Sequence, residues 1–233
     1  MYPMYYYFDP TYMLVLIGVI ISMAASAKLN GTYQRYAAVR SRSGMTGAQV
    51  AQRILNSQGI YDVTVRPVAG NLTDHYDPRT KTVNLSDSVY GSTSIAAVGV
   101  AAHECGHAIQ DARGYVPLRL RASLVPVANI GAQLSWPLII FGLLIGGTSL
   151  VSIGILLFSL AVLFQIVTLP VEYNASGRAI RLLDDIGILS GDEVGQARKV
   201  LSAAALTYVA AAAGSILQLL RLWLLFGNRR RRD

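Results

Sequence analysis

His103-Glu104-Cys105-Gly106-His107 places two imidazoles four residues apart, with a carboxylate directly after the first. In a helix, residues four apart share one face, so both rings can reach one ion. Zinc accepts neutral imidazole nitrogen at about 2.0–2.1 Å, and a hydrolytic site keeps one position open for water. Glu104 would stand beside that water without ligating the ion, placed to take its proton as it attacks a carbonyl. The pattern is an H-E-x-x-H motif. The chain holds only three His and three Glu in 233 residues; a shuffled chain of that composition would contain about 0.0005 matches. The structural alternative, two satisfied core histidines and a buried Glu, leaves a costly lone carboxylate among Ala and Gly.

Two histidines leave a third ligand to find, and His75, Glu172 and Glu193 are the candidates. Glu193, in Ser190-Gly191-Asp192-Glu193, reads as the first-turn acid of a helix. Glu172 opens Glu172-Tyr173-Asn174-Ala175-Ser176 and has no such role. It adjoins an apolar stretch, where a carboxylate is expensive unless it is used. Glu172 is therefore the expected third ligand and His75 its competitor. Tyr173, Tyr208 and His75 are candidate donors to the oxyanion of a tetrahedral intermediate. Cys105 reads as a small helix residue, and Asp111 as a cap or a support for the metal site.

The elements around the motif can be read locally. Thr46-Gly47-Ala48-Gln49 is a capping box, Val50, Ala51, Ile54 and Leu55 form a helical apolar stripe, and Gly59 suits the stop. Asp62 to Val68 alternates as a strand, with Pro67 implying an edge. Asp77-Pro78-Arg79-Thr80 is a turn, and Lys81 to Leu85 a second short strand with Val83 and Leu85 on one face. The motif helix is expected from about Ser92 to Ala112, with Gly114 just past its end.

The bulk composition points to a bilayer. Only 14% of residues are charged and 53% are apolar, against about a quarter charged in soluble domains. Met13 to Ala27 is an apolar run preceded by Tyr5, Tyr6, Tyr7, Phe8 and Tyr12 as an interface belt. Ala25-Ser26-Ala27 resembles a signal cleavage site, but no Lys or Arg precedes the run, so an uncleaved span is expected. From Ala122 to Val171, 50 residues pass without an Asp, Glu, Lys or Arg. One spanning helix needs about 20, so this is a hairpin of two, turning near Gly146-Gly147-Thr148. Arg119 and Arg121 flank its start, Arg178 and Arg181 its end, which places both flanks in the cytoplasm. Ala203 to Phe226 is a fourth apolar run, interrupted by Arg221, and Arg229–Arg232 is a basic headgroup anchor. The net charge of +7 suits anionic lipid, and no nucleic-acid motif is present. The single cysteine excludes an internal disulfide.

The stretch Ala101-Ala102-His103-Glu104-Cys105-Gly106-His107-Ala108-Ile109-Gln110 resembles the bacterial neutral membrane zinc metallopeptidases of the YugP type. Asp77-Pro78-Arg79, Val83-Asn84-Leu85-Ser86 and Ala203-Ala204-Ala205-Leu206-Thr207-Tyr208 are similar too, so the resemblance covers most of the chain. It extends distantly to the HtpX and CAAX-prenyl proteases. Those groups imply a third zinc ligand from the Glu of an E-x-x-A-D motif, whose Asp supports a His ligand. Glu172 and Ala175 match, and Ser176 replaces the Asp, an uncharged hydrogen-bonding substitute. The resemblance also implies a substrate-binding edge strand ahead of the zinc helix, here Thr82, Val83, Asn84 and Leu85.

The expected protein is mainly α: a helical zinc-peptidase core with a small β-hairpin and edge strand, set among membrane helices. Residues 1–27 are an N-terminal transmembrane helix, 28–121 a cytoplasmic zinc-binding catalytic part and 122–171 a transmembrane helical hairpin. Residues 172–202 form a second catalytic segment, and 203–233 a C-terminal apolar helix with a basic tail. The expected function is a multi-pass, membrane-bound, zinc-dependent endopeptidase acting on a peptide or protein in contact with membrane lipids. The alternative is a catalytically idle membrane scaffold that keeps the motif. No charge interrupts the hairpin, so no ion path supports a transporter.

Overall fold

The structure, a computed structural model, describes residues 9–227. Residues 5–8 of the expected aromatic belt and the basic cluster at 229–232 lie outside the described residues. The chain is mainly helical, in the order α1 (Tyr12–Ala37), α2 (Gly47–Ser57), β1 (Thr64–Val68), β2 (His75–Asp77), β3 (Thr82–Ser86), α3 (Asp87–Tyr90), α4 (Ile95–Ala112), α5 (Val116–Leu144), α6 (Thr148–Asp185), α7 (Asp192–Phe226).

Local signals place the short helices. Thr46 caps α2 with a complete capping box, and Val50, Ala51, Ile54 and Leu55 are its buried face. Ser94 caps α4 by accepting from the Ala97 amide, and Gly114 takes the positive φ of +62° that ends the turn beyond it. α4 starts three residues after the expected Ser92, at Ile95.

The sheet corrects one expectation. Its order is β1-β3-β2, with β1 parallel and β2 antiparallel to β3. Thr82, Val83, Asn84 and Leu85 are therefore in the central strand, where β1 pairs with all four and β2 with Thr82, Val83 and Asn84, so the strand is not an edge. β1, carrying Pro67, is one edge as expected, and β2 is the other. Val83 and Leu85 are fully buried against the helices, each burial contributing about 1.5–3 kcal/mol.

The apolar runs form parts of longer helices. Among the described residues four helices, α1, α5, α6 and α7, are long and apolar enough to cross a membrane. α1 runs on past Lys28 to Ala37, α6 past Val171 to Asp185, and α7 begins eleven residues before Ala203. α5 and α6 are the hairpin, turning through Gly146 at φ +71°.

The chain divides into two compact units. One gathers the apolar parts, through Ala24, Leu124–Ile166 and from Val209 onward. In it Arg221 of α7 is no loose interruption: it pairs with Asp9 at 3.3 Å, donates to Thr11 Oγ1 at 3.2 Å and lies 4.0 Å above the Tyr12 ring. The other unit, Ala25–Ser123 with Val167–Tyr208, has one core. There α2, β3 and α4 close on the polar-end halves of α6 and α7 through Ile54, Leu85, Ile109, Leu183 and Leu201.

Candidate metal centre

α4 presents His103 and His107 one turn apart, their rings edge to face with centroids 4.7 Å apart. α6 crosses them closely at Gly106. A Cβ there would lie 2.6 Å from the Ala175 carbonyl oxygen and 3.0 Å from its carbon, so only glycine admits this approach. Ala175 is itself fully buried, and one turn before it α6 delivers Glu172.

Glu172 is 2% exposed. Its Oε2 lies 3.2 Å from His103 Nε2 and 3.6 Å from His107 Nε2, while Arg121 Nη1 stands 3.6 Å from Oε1. One oxygen thus faces the imidazoles and the other a guanidinium. Among the described residues, His103, His107 and Glu172 are the group that could hold a metal, with one ligand atom from each within 4.8 Å of the others.

The rings are aimed by uncharged partners. Arg178 Nε donates to Asn174 Oδ1 at 2.7 Å, which orients that amide. Asn174 Oδ1 and the Val171 carbonyl accept from Gln110 Nε2 at 3.1 and 2.8 Å, which orients the second amide. Gln110 Oε1 can then only accept, so the His107 proton sits on Nδ1, 3.0 Å away, and Nε2 is bare. Ser176 Oγ takes the same place for His103, 3.1 Å from Nδ1. It holds the position of the Asp in the resembled motif.

These donors fit zinc: two imidazole nitrogens and one carboxylate oxygen converge, as in a three-ligand catalytic site. The local electrostatics agree. Burial alone would lower the His107 pKa, but the facing Glu172 and nearby Glu104 outweigh it and hold it raised. Surroundings that draw a proton to this ring also favour a cation.

Glu104, next to His103, is 7% exposed; among the described residues neither a hydrogen bond nor a salt bridge holds its carboxylate. Tyr208 of α7 lies within reach of Glu172. Tyr173 is 54% exposed beside it, and lines a cavity with Ser176.

Other expected residues are engaged elsewhere. His75 is tied into the sheet, with Nδ1 2.8 Å from the Thr73 carbonyl and Nε2 3.2 Å from Asn84. The structure therefore does not bring it into the metal group. Glu193 accepts the Arg42 amide at 2.7 Å, in the first turn of α7. Cys105 is fully buried, donates to the Ala51 carbonyl at 3.5 Å, and has its pKa pushed up by burial and by Glu104; it is a packing residue. Asp111 accepts from Lys81 Nζ at 2.7 Å and Tyr76 Oη at 2.8 Å, which ties the β2–β3 hairpin to the end of α4. Burial pushes its pKa up, but those two bonds hold it below the ordinary value.

Gln110, Arg121, Asn174 and Gly106 carried no expected role at the metal site. Gln110 had a signal: it follows His107 by three residues, on the same face of the helix. Arg121 and Asn174 acquire their roles only through the crossing of α4, α5 and α6.

A family model described as "Putative neutral zinc metallopeptidase" matches residues 11–227. A Bacillus subtilis (strain 168) protein named "Putative membrane protease YugP" is 46% identical over 217 residues, covering 93% of this chain and 96% of that one. No solved structure matches.

Proposed function

The chain belongs to this neutral zinc metallopeptidase family, and on that premise we propose that it is a membrane-bound endopeptidase using zinc held by His103, His107 and Glu172. The observation that carries the reading is the convergence of both Nε2 atoms on Glu172 Oε2, with the buried, unpartnered Glu104 beside them. Zinc there would supply Lewis acidity to a water and to the scissile carbonyl.

The remaining steps belong to side chains. Glu104 takes the proton of the attacking water and passes it to the leaving amine. Ser176 and Gln110 hold the rings in the tautomer that leaves Nε2 free. Arg121 balances the outer oxygen of Glu172. The hydroxyls of Tyr208 and Tyr173 are the nearest candidates to donate to the tetrahedral oxyanion. An extended peptide substrate would find a free sheet edge at β2, since β3 is enclosed. The basic flanks of the hairpin support a centre on the cytoplasmic side.

Metal analysis with a peptide-cleavage assay tests the reading. Glu104→Gln should keep zinc and lose about 10²- to 10⁴-fold in kcat. Full activity in that variant, or no cleavage by the zinc-loaded wild type, would overturn it.

A further inference from the structure

A second cavity borders α7 in the polar unit; it shares Arg198 and Ser202 with the cavity beside Tyr173 and Ser176, and none of the three metal-group residues lines it. The extension of α1 beyond Ala27 and the start of α7 border a cavity of about 940 Å³. Lys28 and Arg35 come from one wall, Arg198 and Lys199 from the other. Lys28, Gly31 and Arg35 follow helical spacing, as do Gly195, Arg198 and Ser202, so each set shares a face.

Three observations describe this groove. No Asp or Glu is among its lining residues. Among the described residues none of its four cations is in a salt bridge, so all four are free to face an anion. The space at the walls is open: a Cβ added at Gly31 or Gly195 would meet nothing within 4 Å.

The position along the chain supplies the ligand. Lys28 is the first charged residue after the apolar run of α1, and Lys199 the last before the apolar run of α7. The cations therefore stand at the polar end of two membrane-length helices, at headgroup depth. Ala27, Ala203 and Leu206 line the same cavity on the apolar side of these cations. A ligand that fits has a phosphate at one end and hydrocarbon at the other. We propose that the groove binds an anionic phospholipid, its phosphate between Lys28, Arg35, Arg198 and Lys199 and its chain along the apolar end.

Native mass spectrometry of the full-length protein, reconstituted in phosphatidylcholine with and without phosphatidylglycerol, tests this. Wild type should retain phosphatidylglycerol. Arg198→Gln/Lys199→Gln should reduce retention by roughly tenfold, and Lys28→Gln/Arg35→Gln should do the same from the other wall. Arg66→Gln/Arg79→Gln, which removes equal charge from exposed positions outside the groove, should change nothing. Gly195→Leu fills the groove without altering charge and should also lower retention; circular dichroism and metal content would show that each variant is folded.

Equal loss in the Arg66/Arg79 control, or full retention in Gly195→Leu, would overturn the site in favour of diffuse surface attraction. Displacement of the lipid by excess inorganic phosphate would assign the cations to a soluble anion. An acidic protein lost on Arg198→Gln/Lys199→Gln, with lipid retention intact, would assign the groove to that partner instead.

Discussion

Glu172 is a buried carboxyl at a helix crossing, and its neighbours explain how it is tolerated. A buried carboxylate without compensation costs several kcal/mol; here Arg121 stands by one oxygen, and a cation held with the two Nε2 atoms would answer the other. Glu172→Ala should therefore abolish stoichiometric zinc, whereas His75→Ala and Glu193→Ala should leave it, as measured by metal analysis of the purified protein. The amides that aim His107 make a finer prediction. Gln110→Leu keeps all three ligands but frees the ring, and should weaken zinc binding about 10- to 100-fold in a chelator competition. At this scale the sequence was informative where chemistry is local. The two histidines and Glu104 are set by helical spacing alone, and the scarcity of Glu narrowed the third ligand. The roles of Arg121 and Asn174 exist only where two distant helices meet, and no pattern along the chain records that.

Helix α4 must lie against α6 backbone to backbone for those side chains to meet. Gly106→Ala tests the element rather than a ligand. The added methyl would sit 2.6 Å from the Ala175 carbonyl oxygen, so α6 must shift and Glu172 with it. Zinc should be lost although every ligand is intact. Asp111 gives a pH-dependent test of the hairpin's attachment. Its pKa is depressed in the folded protein, so the stability it confers is present above the ordinary value of 3.8 and is lost as pH falls through the lower folded value. The difference in thermal midpoint between wild type and Asp111→Asn should be constant near neutrality and shrink below about pH 4. The capping box of α2 and the start of α4 could be read because caps are local signals. β2 could not: three residues give no alternation to detect. The centrality of β3 was hidden as well, because strand order depends on partners far apart in sequence.

The whole chain has the composition of a membrane protein, and its four long apolar helices match that. Sidedness rests on the arginines at the ends of the hairpin. Cysteines introduced at the exposed positions Ser57 and Gly191 should resist an impermeant maleimide in intact cells and react after lysis. Buried Cys105 should stay silent in both. Labelling from outside would reverse the orientation. The apolar runs showed where the membrane helices lie but not where they end. α6 is a single 38-residue helix because its amphipathic continuation is held by the core of the polar unit rather than by lipid. That continuity bears on biosynthesis. His107 leaves the ribosome 65 residues before Glu172 (172 − 107), and everything between them includes both arms of the hairpin. On the proposed reading, until that hairpin has been made and inserted the nascent chain has two of the three residues of the metal group and cannot complete it. A chain truncated after Val171 should then be proteolytically inert, and on that reading the order of the residues would keep the activity latent until the hairpin is in the membrane.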